Sequence, residues 1–146
     1  MGHAQWLNDL FDPELLHFLS EEISCTINDD REHIKINAIV VTGISGSVIG
    51  GIISYITKIP LIIVRKSQDG SHSGYSIEYS NDIDGSCLNY IFLDDLISTG
   101  YTLRRVNDKM KREFNHSKLV KIYLYHEYEK MHDKTNTNIP LWCHKF

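Results

Sequence analysis

A chain of 146 residues with 42% hydrophobic and 23% charged side chains has the size and composition of one globular domain with its own core, which argues against a two-domain enzyme. Its formal net charge of -4, from 15 basic and 19 acidic residues, excludes recognition of nucleic acid or an anionic membrane by bulk charge. Three scattered cysteines, Cys25, Cys87 and Cys143, form no Cys-x-x-Cys motif and cannot all pair within one chain, so a reducing cytoplasm is the expected compartment.

The N-terminal stretch MGHAQWLNDLFDPELL has no basic leader region and does not read as a secretory signal. Asp12-Pro13-Glu14 reads as a helix start, with a capping carboxylate and a first-turn proline, followed by an apolar stripe of Leu15, Leu16, Phe18, Leu19 and Ile23. Residues 38–42, AIVVT, predict a buried strand ending at Gly43. A glycine-bearing helix is predicted to follow, with Gly46, Gly50 and Gly51 letting it lie close on a sheet. The apolar run near 48–64 is broken by Lys58 and Pro60 and is too short and polar to span a bilayer.

Leu61-Ile62-Ile63-Val64 predicts the next buried strand, closed by Arg65-Lys66. Residues 67–74, SQDGSHSG, predict a mobile polar loop, and Tyr75 to Tyr79 alternates as a strand with a turn at 81–85. Tyr90 to Leu93 runs apolar into Asp94-Asp95. The helix after it carries Leu103, Val106, Met110 and Phe114 on one face and Arg104, Arg105, Lys109 and Arg112 on the other, before a last strand from Leu119 to Tyr125. This alternation predicts a single α/β domain with a mainly parallel twisted sheet flanked by helices, and ligands beyond the carboxyl ends of the strands.

Charge is unevenly spread along the chain. Residues 1–32 hold eight acids and one base, whereas residues 100–121 hold seven bases and two acids. The basic segment fits either a phosphorylated ligand or RNA, or the solvated face of an amphipathic helix, and the second reading is the simpler. It lacks the interleaved aromatic residues of an RNA-recognition motif, so no nucleic-acid partner is expected. Eight dispersed histidines show no zinc-ligand spacing.

The richest segment is YIFLDDLISTGYTL, residues 90–103. Backbone N–H groups of a tight loop at a helix N-terminus bind a phosphate dianion, and the hydroxyls of Ser98, Thr99 and Thr102 add donors while Gly100 permits the turn. Two acids at the strand end repel phosphate, but they can accept hydrogen bonds from a diol such as that of ribose, or help hold a hydrated Mg²⁺. Taken alone, an acid pair there is better explained by helix capping or a solvated turn.

This segment resembles the signature of the type I phosphoribosyltransferases, which bind 5-phosphoribosyl 1-pyrophosphate (PRPP): an apolar strand, two acids, two aliphatics, two small hydroxyl residues, glycine, any residue and threonine. Tyr90 to Thr102 matches at every position, and supporting matches extend over about residues 35–127. The turn Thr42-Gly43-Ile44-Ser45-Gly46-Ser47 looks like the family's pyrophosphate loop. Pro60 to Lys66 is similar to the strand that ends in an Arg-Lys pair near the pyrophosphate in adenine and orotate members.

The resemblance implies Mg²⁺-dependent displacement of pyrophosphate from ribose C1 by a nucleobase nitrogen, with a homodimer as the expected assembly. Ile97, Ser98, Thr99, Gly100, Tyr101 and Thr102 would bind the 5′-phosphate, and Asp94 and Asp95 the ribose. Gly43 to Ser47 with Arg65 and Lys66 would face the pyrophosphate, and Asp94 would touch a Mg²⁺ held mainly by PRPP itself. Residues 67–74 stand where the family has its catalytic lid, but apart from the titratable His72 they lack the basic residues that orotate members carry there, so His72 with Ser71 and Ser73 either takes over that role or is a solvated loop residue. The resemblance implies that base selection falls to a variable hood, built from the chain termini or from a segment after the fourth core strand. Tyr125 and Glu127 are candidates for the base, although both read equally well as strand-end surface residues. With no arginine after Arg112, a purine-like base is favoured over orotate. A PRPP-binding regulator of the same fold, without catalysis, is the alternative.

Overall fold

A computed structural model describes residues 10–66, 75–95 and 97–126. Helix α1 (Pro13–Asp30) begins as its sequence dictates, with the Asp12 carboxylate accepting the N–H groups of Glu14 and Leu15 at 2.9 and 3.2 Å. Strand β1 (Ala38–Thr42) then runs directly into α2 (Gly43–Thr57), and β2 (Leu61–Val64) and β3 (Ile77–Tyr79) follow. The second half is β4 (Asn89–Asp94), α3 (Tyr101–Glu113) and β5 (Lys118–Leu124).

The five strands pair in the order β3-β2-β1-β4-β5, all parallel except β3, which runs antiparallel along the β2 edge. Because neighbouring side chains on a strand point to opposite faces, each strand feeds two cores. Ile39, Val41, Ile91, Leu93 and Tyr123 pack under α1 and α2. Ala38, Val40, Tyr90, Phe92, Ile122 and Leu124 pack against Leu103, Val106 and Met110 of α3. The Tyr90 hydroxyl also donates to Asn107 Oδ1 at 2.8 Å, tying α3 to the central strand. Across the other face, Asp30 at the end of α1 accepts from Lys121 Nζ at 2.5 Å and from the Tyr123 hydroxyl, anchoring α1 to β5.

The β1–β4 ladder stops early. Pairing runs from Ala38–Tyr90 to Val40–Phe92, two residues short of the ends of both strands, whereas β1 stays paired with β2 to Thr42–Val64 and β4 with β5 to Asp94–Leu124. The chain order also reverses between these two central strands, and such a switch point is where α/β sheets bind ligands.

Helix α2 lies almost against the sheet. A Cβ at Gly50 would come within 2.7 Å of Val41 Cγ1, a β-branched core side chain with little room to move, whereas a Cβ at Gly51 would meet nothing within 4 Å. Gly50→Ala is therefore expected to lower unfolding free energy by about 1–2 kcal/mol, the overpacking cost outweighing the gain in helix propensity. Gly51→Ala should raise it by about 0.5–1 kcal/mol. Urea unfolding of the two variants checks the pair, and equal effects would contradict the close approach.

Candidate active site

At the carboxyl ends of β1 and β4 the structure forms a cleft of about 200 Å³, lined by Ser45, Lys66, Asp94, Asp95 and residues 97–103. The cleft gathers side chains from both halves of the sheet. Its floor is the acid pair. Asp94 is the last residue of β4 and is 8% exposed, and its Oδ1 accepts the Asp95 N–H at 3.0 Å. The Asp95 carbonyl in turn accepts the His126 N–H at 3.2 Å, so the backbone of the pair is held from both sides. Burial, and then the neighbouring Asp95 charge, push the Asp94 carboxyl up to about 7, with the Lys66 ammonium opposing them.

One wall is the loop that opens α3. Gly100 sits at the helix N-cap with φ +74°, a conformation that favours glycine, and supplies no capping side chain. The Thr99 hydroxyl accepts the Tyr101 N–H at 3.3 Å, and Arg104 Nη2 donates to the Thr99 carbonyl at 3.1 Å. These contacts curl the loop around the helix N-terminus, where backbone N–H groups and the helix dipole favour an anion. Ser98, Thr99, Tyr101 and Thr102 are exposed, and Ile97 is half-buried against the core below. All six residues assigned to the 5′-phosphate line the cleft.

The residues assigned to pyrophosphate divide. The expected turn at 42–47 is a helix start instead: Gly43 takes up the whole change of direction at φ +69°, and α2 begins there. The Ser47 hydroxyl donates back to the Gly43 carbonyl at 2.7 Å. Ser45 faces the cleft, while Gly46 is buried close to Val41 and the Leu93 carbonyl. Gly43, Ile44 and Ser47 border a second, more open and more apolar depression of about 450 Å³.

Arg65 and Lys66 do not act as a pair. Lys66 reaches into the cleft, its Nζ 3.0 Å from the position of a Cβ on Gly43, where any larger residue would displace it. Arg65 points the other way, into the second depression, and its Nε and Nη2 each lie 2.9 Å from Glu78 Oε1 on β3. Strand alternation is the physical reason, and it was readable in the sequence. The partner follows from the β2–β3 register: Glu78 stands opposite Ile63, two residues before Arg65, the diagonal position of a cross-strand pair.

Tyr125 is also not where the base reading put it. Continuing the alternation of β5, it joins Tyr123 in the core under α1 and α2 and is fully buried, so its ring is not available to stack on a base. The basic face of α3 is present but is more than a solvated surface, since Lys109 Nζ donates to the Arg65 carbonyl at 2.6 Å. Ser71, His72, Ser73 and Glu127 lie outside the described residues.

Fold and cleft together define an α/β domain in which a helix N-terminus and an acid pair face one cleft at the sheet's switch point. No family model matches the sequence. An HGPRTase-like protein of Halobacterium salinarum is 32% identical over 114 residues, 70% of this chain and 57% of its own length. The adenine phosphoribosyltransferase of Mycoplasma pneumoniae is 27% identical over 133 residues, 83% of this chain and 72% of its own length. Among solved structures, adenine phosphoribosyltransferase from Saccharomyces cerevisiae superposes with a TM-score of 0.62 at 19% identity, covering 88% of this chain and 78% of the other, which shows the same fold. The chain belongs to the type I phosphoribosyltransferase family. It spans little more than half the length of the HGPRTase-like relatives.

Proposed function

We propose that the protein is a phosphoribosyltransferase that moves ribose 5-phosphate from PRPP to a ring nitrogen of a purine-like base. The observation that carries this reading is the meeting of Asp94, Asp95, Ser45, Lys66 and the 97–102 loop in one cleft at the β1–β4 switch point. In the reaction a bond forms between the base nitrogen and ribose C1 while the C1–O bond to pyrophosphate breaks, its electron pair leaving on the pyrophosphate oxygen. The base gives up its N–H proton to the departing pyrophosphate or to water.

The protein's task in such a reaction is alignment and charge stabilisation. The 97–102 loop anchors the 5′-phosphate, so that the ribose lies over the acid pair. Asp95, with its backbone fixed at both ends, accepts from the ribose hydroxyls and offsets positive charge developing on the ring. Lys66 and Ser45 face the departing pyrophosphate, and Lys66 is the only basic side chain lining the cleft among the described residues.

The acid pair also suits Mg²⁺. Asp94 is a buried carboxyl beside a second acid, an excess of negative charge that a divalent cation relieves. One or two carboxylates are what a protein offers to a Mg²⁺ held mainly by substrate phosphates. When bound, Mg²⁺ would supply charge neutralisation on the pyrophosphate.

A purine-like base is supported by relatives named for adenine and for hypoxanthine and guanine transfer. With Tyr125 in the core, the base contacts fall to Glu127, the 71–73 segment and the chain termini. A homodimer working in the cytoplasm completes the reading, and none of the described helices is long and apolar enough to cross a membrane.

Pyrophosphate release from PRPP and Mg²⁺, measured over a panel of bases, tests the proposal. The expected result is release that depends on adenine, hypoxanthine or guanine and not on orotate. The turning of Arg65 onto Glu78 favours one second reading, a PRPP-binding regulator without catalysis. Calorimetric binding of PRPP with no release for any base would establish that reading in place of transfer, and absence of binding would exclude both.

A further inference from the structure

Two consecutive carbonyls at the end of β2 are held by side chains from two other elements. The Thr42 hydroxyl, from β1, donates to the Val64 carbonyl at 2.7 Å, and Lys109 Nζ, from α3, donates to the Arg65 carbonyl at 2.6 Å. The ladder to β1 ends at Thr42–Val64, so the Arg65 carbonyl lies beyond it. On the other side the Arg65 N–H donates to the Ser76 carbonyl at 2.9 Å and its guanidinium is committed to Glu78. The next residue is Lys66, the cation of the cleft.

We infer that Lys109 is a positioning residue for Lys66: it clamps the end of β2 to α3, the helix whose N-terminus forms the phosphate loop, and so fixes the spacing between the two anion-binding ends of the cleft. Both ends of that span belong to rigid elements. The first turn of α3 lines the cleft, and Lys109, two turns further along, is half-buried with its ammonium on the strand end. A hydrogen bond from a charged donor to a carbonyl outside any ladder is among the stronger that a side chain makes. Without it the Arg65 N–H keeps its bond to the Ser76 carbonyl, but the Arg65–Lys66 peptide loses its tie to the helix whose N-terminus forms the phosphate loop.

The inference rests on the phosphoribosyl-transfer reading and concerns one half of the ligand only. Ribose 5-phosphate occupies the loop and the acid pair, whereas PRPP adds the pyrophosphate that Lys66 faces. Displacing Lys66 must therefore weaken PRPP and spare ribose 5-phosphate. A general loss of the fold, or of positive field, would weaken both.

Calorimetric titration of the full chain with PRPP and with ribose 5-phosphate, each with Mg²⁺, tests this. Lys109→Met is expected to weaken PRPP binding about tenfold and to leave ribose 5-phosphate within about twofold, with Lys109→Arg recovering most of the loss. Lys66→Ala should show the same selectivity. The double variant Lys66→Ala/Lys109→Met should be no weaker than Lys66→Ala alone, because a positioning residue has nothing left to position. Thr42→Val, close in shape and lacking only the donor, should give the same selective loss and serves if Lys109→Met does not fold. Equal weakening of both ligands, additive losses in the double variant, or unchanged PRPP binding would overturn the inference while leaving the transfer reading in place. A wild-type chain that binds neither ligand would overturn that reading and this inference with it.

Discussion

Asp95→Asn is expected to lower base-dependent pyrophosphate release by about 10²–10³-fold, mostly in kcat, with a much smaller change in KM for PRPP. The substitution keeps the size of the side chain and one acceptor oxygen, but exchanges the other oxygen for an amide that cannot accept from a ribose hydroxyl. It also removes a full negative charge beside a ring that gains positive character as the C1–O bond breaks. Interactions that strengthen only as that charge develops act on the transition state more than on bound PRPP. The local backbone should survive, since the Asp95 N–H is held by Asp94 and its carbonyl by the His126 N–H. Steady-state kinetics over a range of PRPP concentrations separates the two parameters. A variant with wild-type kcat would remove Asp95 from the reaction and leave it a ribose contact at most.

Asp94→Asn should stabilise the ligand-free protein at neutral and alkaline pH while impairing PRPP binding. In the folded chain burial, reinforced by the Asp95 charge, pushes the Asp94 carboxyl up to about 7 from an ordinary value of 3.8. Between those two values the folded state binds more protons at this site than the unfolded state does. Stability contributed by the site is thus lost as pH rises through that window, and the whole cost is present above it. Asparagine keeps an oxygen for the Asp95 N–H and carries no charge to desolvate. The expected gain is roughly 2–4 kcal/mol at pH 8, or roughly 5–10 °C in Tm, falling to near zero at pH 4. Thermal melts of both proteins without Mg²⁺ at these two pH values decide it. A gain that does not vary with pH would mean that the wild-type carboxyl is not held in a charge-hostile site. Stability gained by deleting a charged group is the signature of a residue kept for its ligand.

Much of this was legible along the chain because it depends on local patterns. Short apolar runs, the alternation at 75–79 and period-3.6 stripes marked the strands and helices, Asp12-Pro13 marked the start of α1, and the 90–102 motif marked the cleft, since its acids, loop and helix are contiguous. What was misread was orientation. Arg65 and Lys66 were treated as one cationic unit, although adjacent residues leaving a strand must diverge, and only Lys66 enters the cleft. The same alternation, counted from Tyr123, would have put Tyr125 in the core. The start of α2 was read as a loop because small residues suit both, and the left-handed Gly43 removes the need for one. Lys109 left no trace to find. Its partner is a backbone carbonyl 44 residues away, and a peptide group has no sequence identity.

The early end of the β1–β4 ladder has a consequence for the chain as a whole. Residues 38–66 and 89–124 each contain a parallel strand-helix-strand unit, and the strand ladder that joins the two is only three paired positions long, Ala38–Tyr90 to Val40–Phe92. The cleft lies on that stitch, drawing Ser45 and Lys66 from the first unit and the acid pair and phosphate loop from the second. Neither unit holds a site by itself. On the phosphoribosyl-transfer reading a ligand seated there spans the seam, and because only the joined sheet can bind it, its binding free energy acts as a clasp across the break in the ladder. The gap left between the strands is then closed by that ligand.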